Sequence, residues 1–418
     1  MEIQRDYYLQ KLIHACGNHM IKVVTGMRRC GKSYLLFTLF RNHLLQHGVD
    51  EAHIIEVDLE NRLNKSLRDP DALLAYIYSH ITDNANYYVL LDEVQLVNEF
   101  EDVLNSFLKT DNVDVFVTGS NARFLSRDVI TEFRGRGDEI RIHPLSFAEF
   151  AGYRQGDTLQ MLVEYMHYGG LPQVVLETDE NKKKEYLLQQ ITHTYLRDIR
   201  DRYNIQNDDD LKELFSTIAS SVGALTNPLR LSNTFRTVKK SSITAETIAL
   251  YLQYMEDAFL IERSLRYDIK GKKYIDSPYK FYFDDLGIRN ARLGFRQYDD
   301  GHLLENLIYN ELRSRGCLVD VGQVFVEQKD ETGKRKRVAL EVDFVCNMGY
   351  HRTYIQSAYS MDNEEKRIQE TASLNRLTDG FPRVLIAGPM QPTYMNENGI
   401  YIVNIFDFLR NPMTYIGE

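Results

Sequence analysis

Gly26-Met27-Arg28-Arg29-Cys30-Gly31-Lys32-Ser33 is the stretch on which the reading of the fold turns. It fits G-x-x-x-x-G-K-[ST], and its surroundings are those the pattern needs. The β-branched run Ile21–Thr25 leads in, and Ser33–Leu45, with apolar residues at three- and four-residue spacing, leads out. Glycines in such a loop let backbone N–H groups curl around phosphate oxygens, with the positive end of a helix behind them. Gly26, Met27, Arg28, Arg29, Cys30, Gly31, Lys32, Ser33 and the following Tyr34 are therefore candidate nucleotide-binding residues. Lys32 would meet the β and γ phosphates, and Ser33 a Mg²⁺ ion. The competing reading is a glycine-rich turn with an incidental lysine.

Outward from this loop, apolar strands alternate with helical stretches, the sign of a parallel sheet wrapped by helices. His53–Leu59, Tyr88–Asp92, Val113–Thr118 and Glu139–His143 are further strand candidates. Asp71–Ile81, Glu99–Leu108 and Asn121–Phe133 are the intervening helices. The fold class expected for residues 1–145 is thus an α/β P-loop NTPase core.

Asp92 and Glu93 end a buried strand, and ligands of open α/β sheets bind at that edge. Asp92 would hold Mg²⁺, and Glu93 would polarise the attacking water as a general base. The competing reading is a solvated strand end. The next strand ends in Thr118-Gly119-Ser120-Asn121. Asn121, with Ser120 second, is the candidate for sensing the γ-phosphate, a role compatible with capping the next helix. Arg136, or else Arg134, is the candidate interface arginine that stabilises charge on the transferring phosphoryl group; the alternative is an intrachain ion pair. No Asn-Lys-x-Asp or Thr-Lys-x-Asp of the guanine-reading kind occurs, so adenine is favoured and ATP with Mg²⁺ is the expected pair.

The 418 residues suggest two to four domains at about 150 residues each. A 43% hydrophobic and 26% charged composition excludes wholesale disorder. The net charge of −10 means that any nucleic-acid contact must use a local basic patch. Cys16, Cys30, Cys317 and Cys346 have no metal-ligand spacing and read as reduced thiols. The N-terminus does not read as a signal peptide. No apolar run approaches the roughly 20 residues of a membrane span. A cytoplasmic protein is expected.

From Pro144 the character changes. Residues 147–200 read as helices broken at Gly169-Gly170-Leu171-Pro172. Asp208–Val222, Leu231–Lys240 and Thr244–Ala258 follow as helices, and Leu260–Tyr267 and Lys280–Phe283 as a hairpin, the plan of a winged helix-turn-helix. Arg230, Arg236, Lys239, Lys240, Lys270, Lys272 and Lys273 would place cations beside DNA phosphates. Against that, the candidate recognition helix carries Glu246, Glu256 and Asp257 and no Lys or Arg, which suits a protein partner better. The basic run Lys334-Arg335-Lys336-Arg337 reads as a solvated hairpin tip. The last stretch returns to mixed α/β, with a helix at Leu303–Arg315, strands at Val324–Gln328, Ala339–Cys346, Thr353–Ser360 and Arg383–Ala387, and a helix at Asn363–Arg376.

Taken in order, the phosphate loop, Leu90-Leu91-Asp92-Glu93-Val94-Gln95, Thr118-Gly119-Ser120-Asn121, Gly135-Arg136, Pro144-Leu145-Ser146-Phe147-Ala148-Glu149-Phe150 and Tyr168-Gly169-Gly170-Leu171-Pro172 resemble a broad family of bacterial and archaeal AAA+-type ATPases. The resemblance spans essentially the whole chain. It implies an ATPase core at 1–145 with the phosphate-loop strand at the sheet's centre, a helical lid at 146–205, a winged helix at 206–285 and a nuclease-like domain at 286–418. The ATPase set with its interface arginine and the local basic patches point to a homo-oligomer acting on DNA, whereas the Gly-x-Pro lid, the acidic recognition helix and the inactive nuclease-like site point to a protein partner. Likeness to signalling ATPases with a Gly-x-Pro lid puts Pro172 near the adenine, Gly170 permitting close approach, with Arg5 and Tyr8 opposite. Glu305, Asp343 and Gln356 resemble the PD-(D/E)XK nuclease layout. Gln356 stands where an acid belongs and Ala358 where the lysine belongs, so an inactive remnant is expected. Lys366 is the substitute lysine that would keep it active.

Overall fold

The run Ile21-Lys22-Val23-Val24-Thr25 is extended and fully buried, as a β-branched segment between two other strands should be. The computed structural model describes residues 3–119, 136–206, 208–329 and 335–417. Contacts divide the chain into two units, Met1–Pro144 with Asp257–Phe259, and Leu145–Glu256 with Leu260–Glu418.

In the first unit, strands β1 (Ile21–Thr25), β2 (Ile54–Asp58), β3 (Tyr87–Asp92), β4 (Val113–Gly119) and β5 (Gly137–Arg141) form one sheet in the order β2-β3-β4-β1-β5. Every pairing is parallel. The phosphate-loop strand is therefore interior but not central: β4 holds the middle, and β1 lies between β4 and β5. Alternate residues Ile21, Val23, Ile55, Val57, Val89, Leu91, Val115 and Val117 share a core with Leu73, Ile77, Val103, Leu104 and Phe107 of the helices Pro70–His80 and Phe100–Phe107. Parallel register brings the strands' C-terminal ends level, so Asp58 stands opposite Asp92 and Thr25 opposite Gly119. That level edge positions the site.

The second unit opens with helices Phe147–Tyr153, Thr158–Tyr168 and Pro172–Leu176, and a helical run from Glu180 to Arg202. Ser146 and Glu149 close a capping box on the first: Glu149 N–H donates to Ser146 Oγ at 3.2 Å, and Ser146 N–H to Glu149 Oε2 at 2.8 Å. The Tyr168-Gly169-Gly170 junction has a packing reason. A Cβ on Gly170 would lie 2.2 Å from the Leu145 carbonyl oxygen, and Gly169, at φ 76°, meets the Asp285 carboxylate. Asp285 accepts from Gly170 N–H at 2.8 Å while capping the helix Leu286–Arg292. The close approach that Gly170 permits within this unit is of backbone to backbone.

Helices Asp209–Ser220, Pro228–Thr234 continuing through Lys239, and Ala245–Asp257 follow. Then come β6 (Ile261–Asp268) and β7 (Lys273–Phe283), helices Leu286–Arg292 and Asp300–Ser314, and β8 (Leu318–Lys329), β9 (Arg335–Met348) and β10 (His351–Ala358). Helix Glu364–Thr371, β11 (Arg383–Ala387), β12 (Tyr394–Met395), β13 (Tyr401–Asn404) and two short helices complete the chain. The hairpin β6–β7 is not a free-standing pair. Arg266–Asp268 align in parallel with Val321–Gln323, giving one eight-stranded sheet in the order β12-β13-β11-β10-β9-β8-β6-β7. Among the described residues no helix is long and apolar enough to cross a membrane.

Candidate nucleotide-binding site

The backbone of the phosphate loop is shaped by its glycines. Gly26 adopts φ 142°, and a Cβ there would fall 2.2 Å from the Ile142 carbonyl oxygen; Gly31 adopts φ 103° at the head of the helix that starts at Lys32. Arg29 also has positive φ, at 68°. Met27 and Cys30 are fully buried and tie the loop to the core, whereas Arg29, Ser33 and Tyr34 are exposed. Arg28 pairs with Glu60 at 3.6 Å across the loop's outer side. Arg5, 3% exposed, donates to the carbonyls of Cys30 at 3.1 Å and His143 at 2.8 Å, with its guanidinium over the Tyr8 ring. Arg5 thus fastens the loop to the segment after β5.

Lys32 is 5% exposed, and its ammonium donates to the Gly26 and Met27 carbonyls, both at 3.0 Å. A phosphate oxygen is a stronger, charged acceptor for the same ammonium. Ser33 Oγ donates to Asp92 Oδ2 at 2.8 Å, so the two candidate metal ligands already meet. Burial pushes the Asp92 carboxyl above its ordinary value, and Glu93 and Asp58 add to that against the opposing Thr118 and Ser33 hydroxyls. A hydrated divalent cation at this oxygen set would favour the ionised form of Asp92, so the donors fit Mg²⁺.

Thr118 is the residue that motif reading passed over. It is fully buried, its hydroxyl donates to Asp92 Oδ1, and it accepts the Glu93 backbone N–H at 2.9 Å. Glu93 sits at φ 53°, held there by this bond, and Gln95 Nε2 donates to its carboxylate. The side-chain oxygen Oε1 of Gln95 is buried with no hydrogen-bond partner among the described residues. The signal for Thr118 is its place near the end of its strand, three residues before Asn121; its two partners lie at and just past the end of the neighbouring strand β3. Replacing Thr118 by the isosteric Val is expected to cost about 1–3 kcal/mol, because the Glu93 N–H is left unsatisfied. Turnover should fall with it as Glu93 loses its anchor, and urea unfolding beside an ATPase assay reads both.

Arg136 is exposed immediately before β5, its carbonyl accepting the Ile21 N–H at 2.9 Å. Asn121, Ser120 and Arg134, and the helix expected at Asn121–Phe133, lie outside the described residues. Pro172 belongs to the second unit, where it opens the helix Pro172–Leu176.

An interior strand feeding a phosphate loop, with paired acids on the strand two places away, defines a P-loop ATPase of the AAA type. Residues 18–151 match the AAA domain family, and residues 159–299 match a domain of unknown function, DUF8612. The chain is 32% identical over 413 residues to an uncharacterized protein of Haemophilus influenzae, covering 97% of this chain and 98% of that one. The chain belongs to the same family. It is also 30% identical over 369 residues to the uncharacterized protein MJ1544 of Methanocaldococcus jannaschii, covering 84% of this chain and 77% of that one. Its fold is similar to that of the Walker-type ATPase of Pyrococcus abyssi, with a TM-score of 0.50 at 16% identity over 70% of this chain and 96% of that one. The family is thus an AAA-type ATPase domain fused to a C-terminal domain of unassigned function in bacteria and archaea.

Proposed function

We propose that the protein is a Mg²⁺-dependent ATPase whose nucleotide cycle drives an oligomeric assembly that binds or remodels DNA. The carrying observation is the convergence of Lys32, Ser33, Asp92, Thr118 and Glu93 on the C-terminal edge of one parallel sheet. Ser33 and Asp92 would hold Mg²⁺, which would supply positive charge against the negative charge developing on the phosphate. Lys32 exchanges loop carbonyls for phosphate oxygens, and Glu93 takes a proton from water. Arg136 is the group a neighbouring subunit would present.

For the second unit, the order helix, bridge at Thr226–Tyr279, two helices and hairpin supports a winged helix. The order of one helix, three antiparallel strands, a helix and the parallel strand β11 supports a PD-(D/E)XK-like core. Arg230, Arg236, Lys239, Lys240, Lys270, Lys272 and Lys273 are all exposed, which suits phosphate contact, although Lys239 also pairs with Glu213 at 2.6 Å. A second reading, a nucleotide switch acting on a protein partner, is favoured by the helix Ala245–Asp257, which carries acids and no cation. ATPase turnover with duplex, branched and single-stranded DNA, alongside mass by light scattering, separates the two. DNA should raise turnover, salt should abolish the rise, and ATP should promote oligomers. A monomer whose turnover is indifferent to every DNA form belongs to the switch.

A further inference from the structure

Within the second unit four elements converge on one site, three with charged side chains and the fourth with polar ones. Lys280 comes from β7, Glu305 from the helix Asp300–Ser314, Glu341 and Asp343 from β9, and Gln356 and Ser357 from β10. The backbone is shaped for this. Pairing of β8 with β9 slips between Asp320 and Gly322, where β9 carries one residue more than its partner, and Asp343 lies in that bulge. The last residues of β7 lie against the helix: Phe283 N–H donates to Asn306 Oδ1 at 2.8 Å, and the Tyr282 ring stacks on Tyr309 at 4.1 Å.

In a core of this strand order the converging acids would bind a divalent metal, with a lysine beside it. The residues here do not leave that position to a metal. The Lys280 ammonium, 2% exposed as a residue, reaches Glu305 at 2.8 Å and Glu341 at 2.7 Å. Tyr282 donates to the same Glu305 oxygen at 2.6 Å, and His302 lies 3.7 Å from the other. One Asp343 oxygen takes both the N–H and the hydroxyl of Ser357, at 2.8 and 2.7 Å. Gln356 turns its amide oxygen to the Asp343 N–H and the Ser373 hydroxyl, each at 3.3 Å. Among the described residues no group of His, Cys, Asp and Glu is arranged to hold a metal ion. Burial opposes the charge on Glu305, yet Lys280, His302 and Tyr282 hold its carboxyl at about 2, so the pair stays ionised. Burial, with the Glu305 charge, pushes Asp343 up to about 7.

We propose that Lys280 occupies the cation position of this site, so that a nuclease-type core takes an ammonium of its own chain in place of a divalent metal. The proposal rests on the PD-(D/E)XK reading of this unit. The lysine missing at Ala358 is supplied from β7, but it sits among the acids rather than beside a metal they hold. The site then fastens the β6–β7 hairpin to the core and cleaves nothing. Lys366, the other candidate lysine, is half exposed and pairs with Glu370 at 3.2 Å on its own helix.

Mn²⁺ binding to nucleotide-free protein, followed by electron paramagnetic resonance and by melting temperature, tests this. Wild type and Asp343→Asn should bind the same number of Mn²⁺ ions, and wild type should leave supercoiled plasmid intact with Mg²⁺ or Mn²⁺. Lys280→Ala should melt lower without metal, gain one Mn²⁺ equivalent and melt higher as Mn²⁺ rises. Adding Asp343→Asn to Lys280→Ala should remove the gained ion. If Asp343→Asn in the wild-type background loses an ion, or the plasmid is nicked, Lys280 does not exclude the metal, while the nuclease-type reading stands. If Lys280→Ala and Lys280→Met fold and neither gains an ion, the acids do not converge on a metal position and that reading falls with the proposal. The comparison of wild type with Asp343→Asn decides the matter even where the lysine variants do not fold.

Discussion

Lys32→Ala is expected to weaken ATP binding by about a hundredfold or more. Charge-assisted hydrogen bonds contribute about 1.5–3 kcal/mol each, and about 2.7 kcal/mol is a factor of a hundred. The Lys32 ammonium already lies among the loop's own oxygens, bonded to Gly26 and Met27, so little reorganisation precedes its contact with phosphate. Its loss also strips both carbonyls of a buried donor, which should lower the stability of the nucleotide-free protein by about 1–2 kcal/mol. Calorimetric titration of ATP with Mg²⁺ into folded wild type and variant measures the first effect, and urea unfolding the second. An unchanged dissociation constant would reduce Gly26–Ser33 to an ordinary turn.

Glu93→Gln should behave differently: binding within a few-fold of wild type, and turnover lower by about 10²–10⁴. The amide keeps the volume of the carboxylate and leaves intact the Glu93 N–H bond to Thr118 that sets the backbone at φ 53°. It also keeps an oxygen for the Gln95 amide to donate to. Only the capacity to accept a proton from water is lost. Single-turnover hydrolysis beside a binding titration separates the two quantities, and normal turnover in the variant would move the base to another residue.

The strands of the first sheet and its loop were legible because their signals are local. Ile21–Thr25 is β-branched at four of its five positions, and Lys32, Ser33, Asp92 and Glu93 carry fixed spacings or strand-end positions. Thr118 was not singled out, since its hydroxyl matters only through partners on β3. The placement of β1 off the sheet's middle follows from strand order, which a run of alternating elements does not encode. In the second unit the helix Leu286–Arg292 escaped notice for a different reason. Its polar residues Arg289 and Asn290 are buried and spend their donors on the carbonyls of Ala219, Gln297, Met166 and His167, so no amphipathic pattern marks it. Motif order in the sequence joins Glu305 and Asp343, whereas Lys280 stands there only as the first residue of a strand candidate. Its carboxylates come from two other elements, and no sequence spacing joins them.

The three-residue alignment of Arg266–Asp268 with Val321–Gln323 bears on how this chain can be cut. A fragment stopped at residue 299, where the DUF8612 match ends, would contain β6 and β7 yet lack β8, β9 and the helix that carries Glu305. One flank of β6 would then present bare amides and carbonyls to other molecules, an invitation to edge-to-edge association. The same scission would take both acids away from the Lys280 ammonium and with them the tie that fastens β7 to the rest of the unit. The hairpin is heritable as a module only together with the sheet downstream of it.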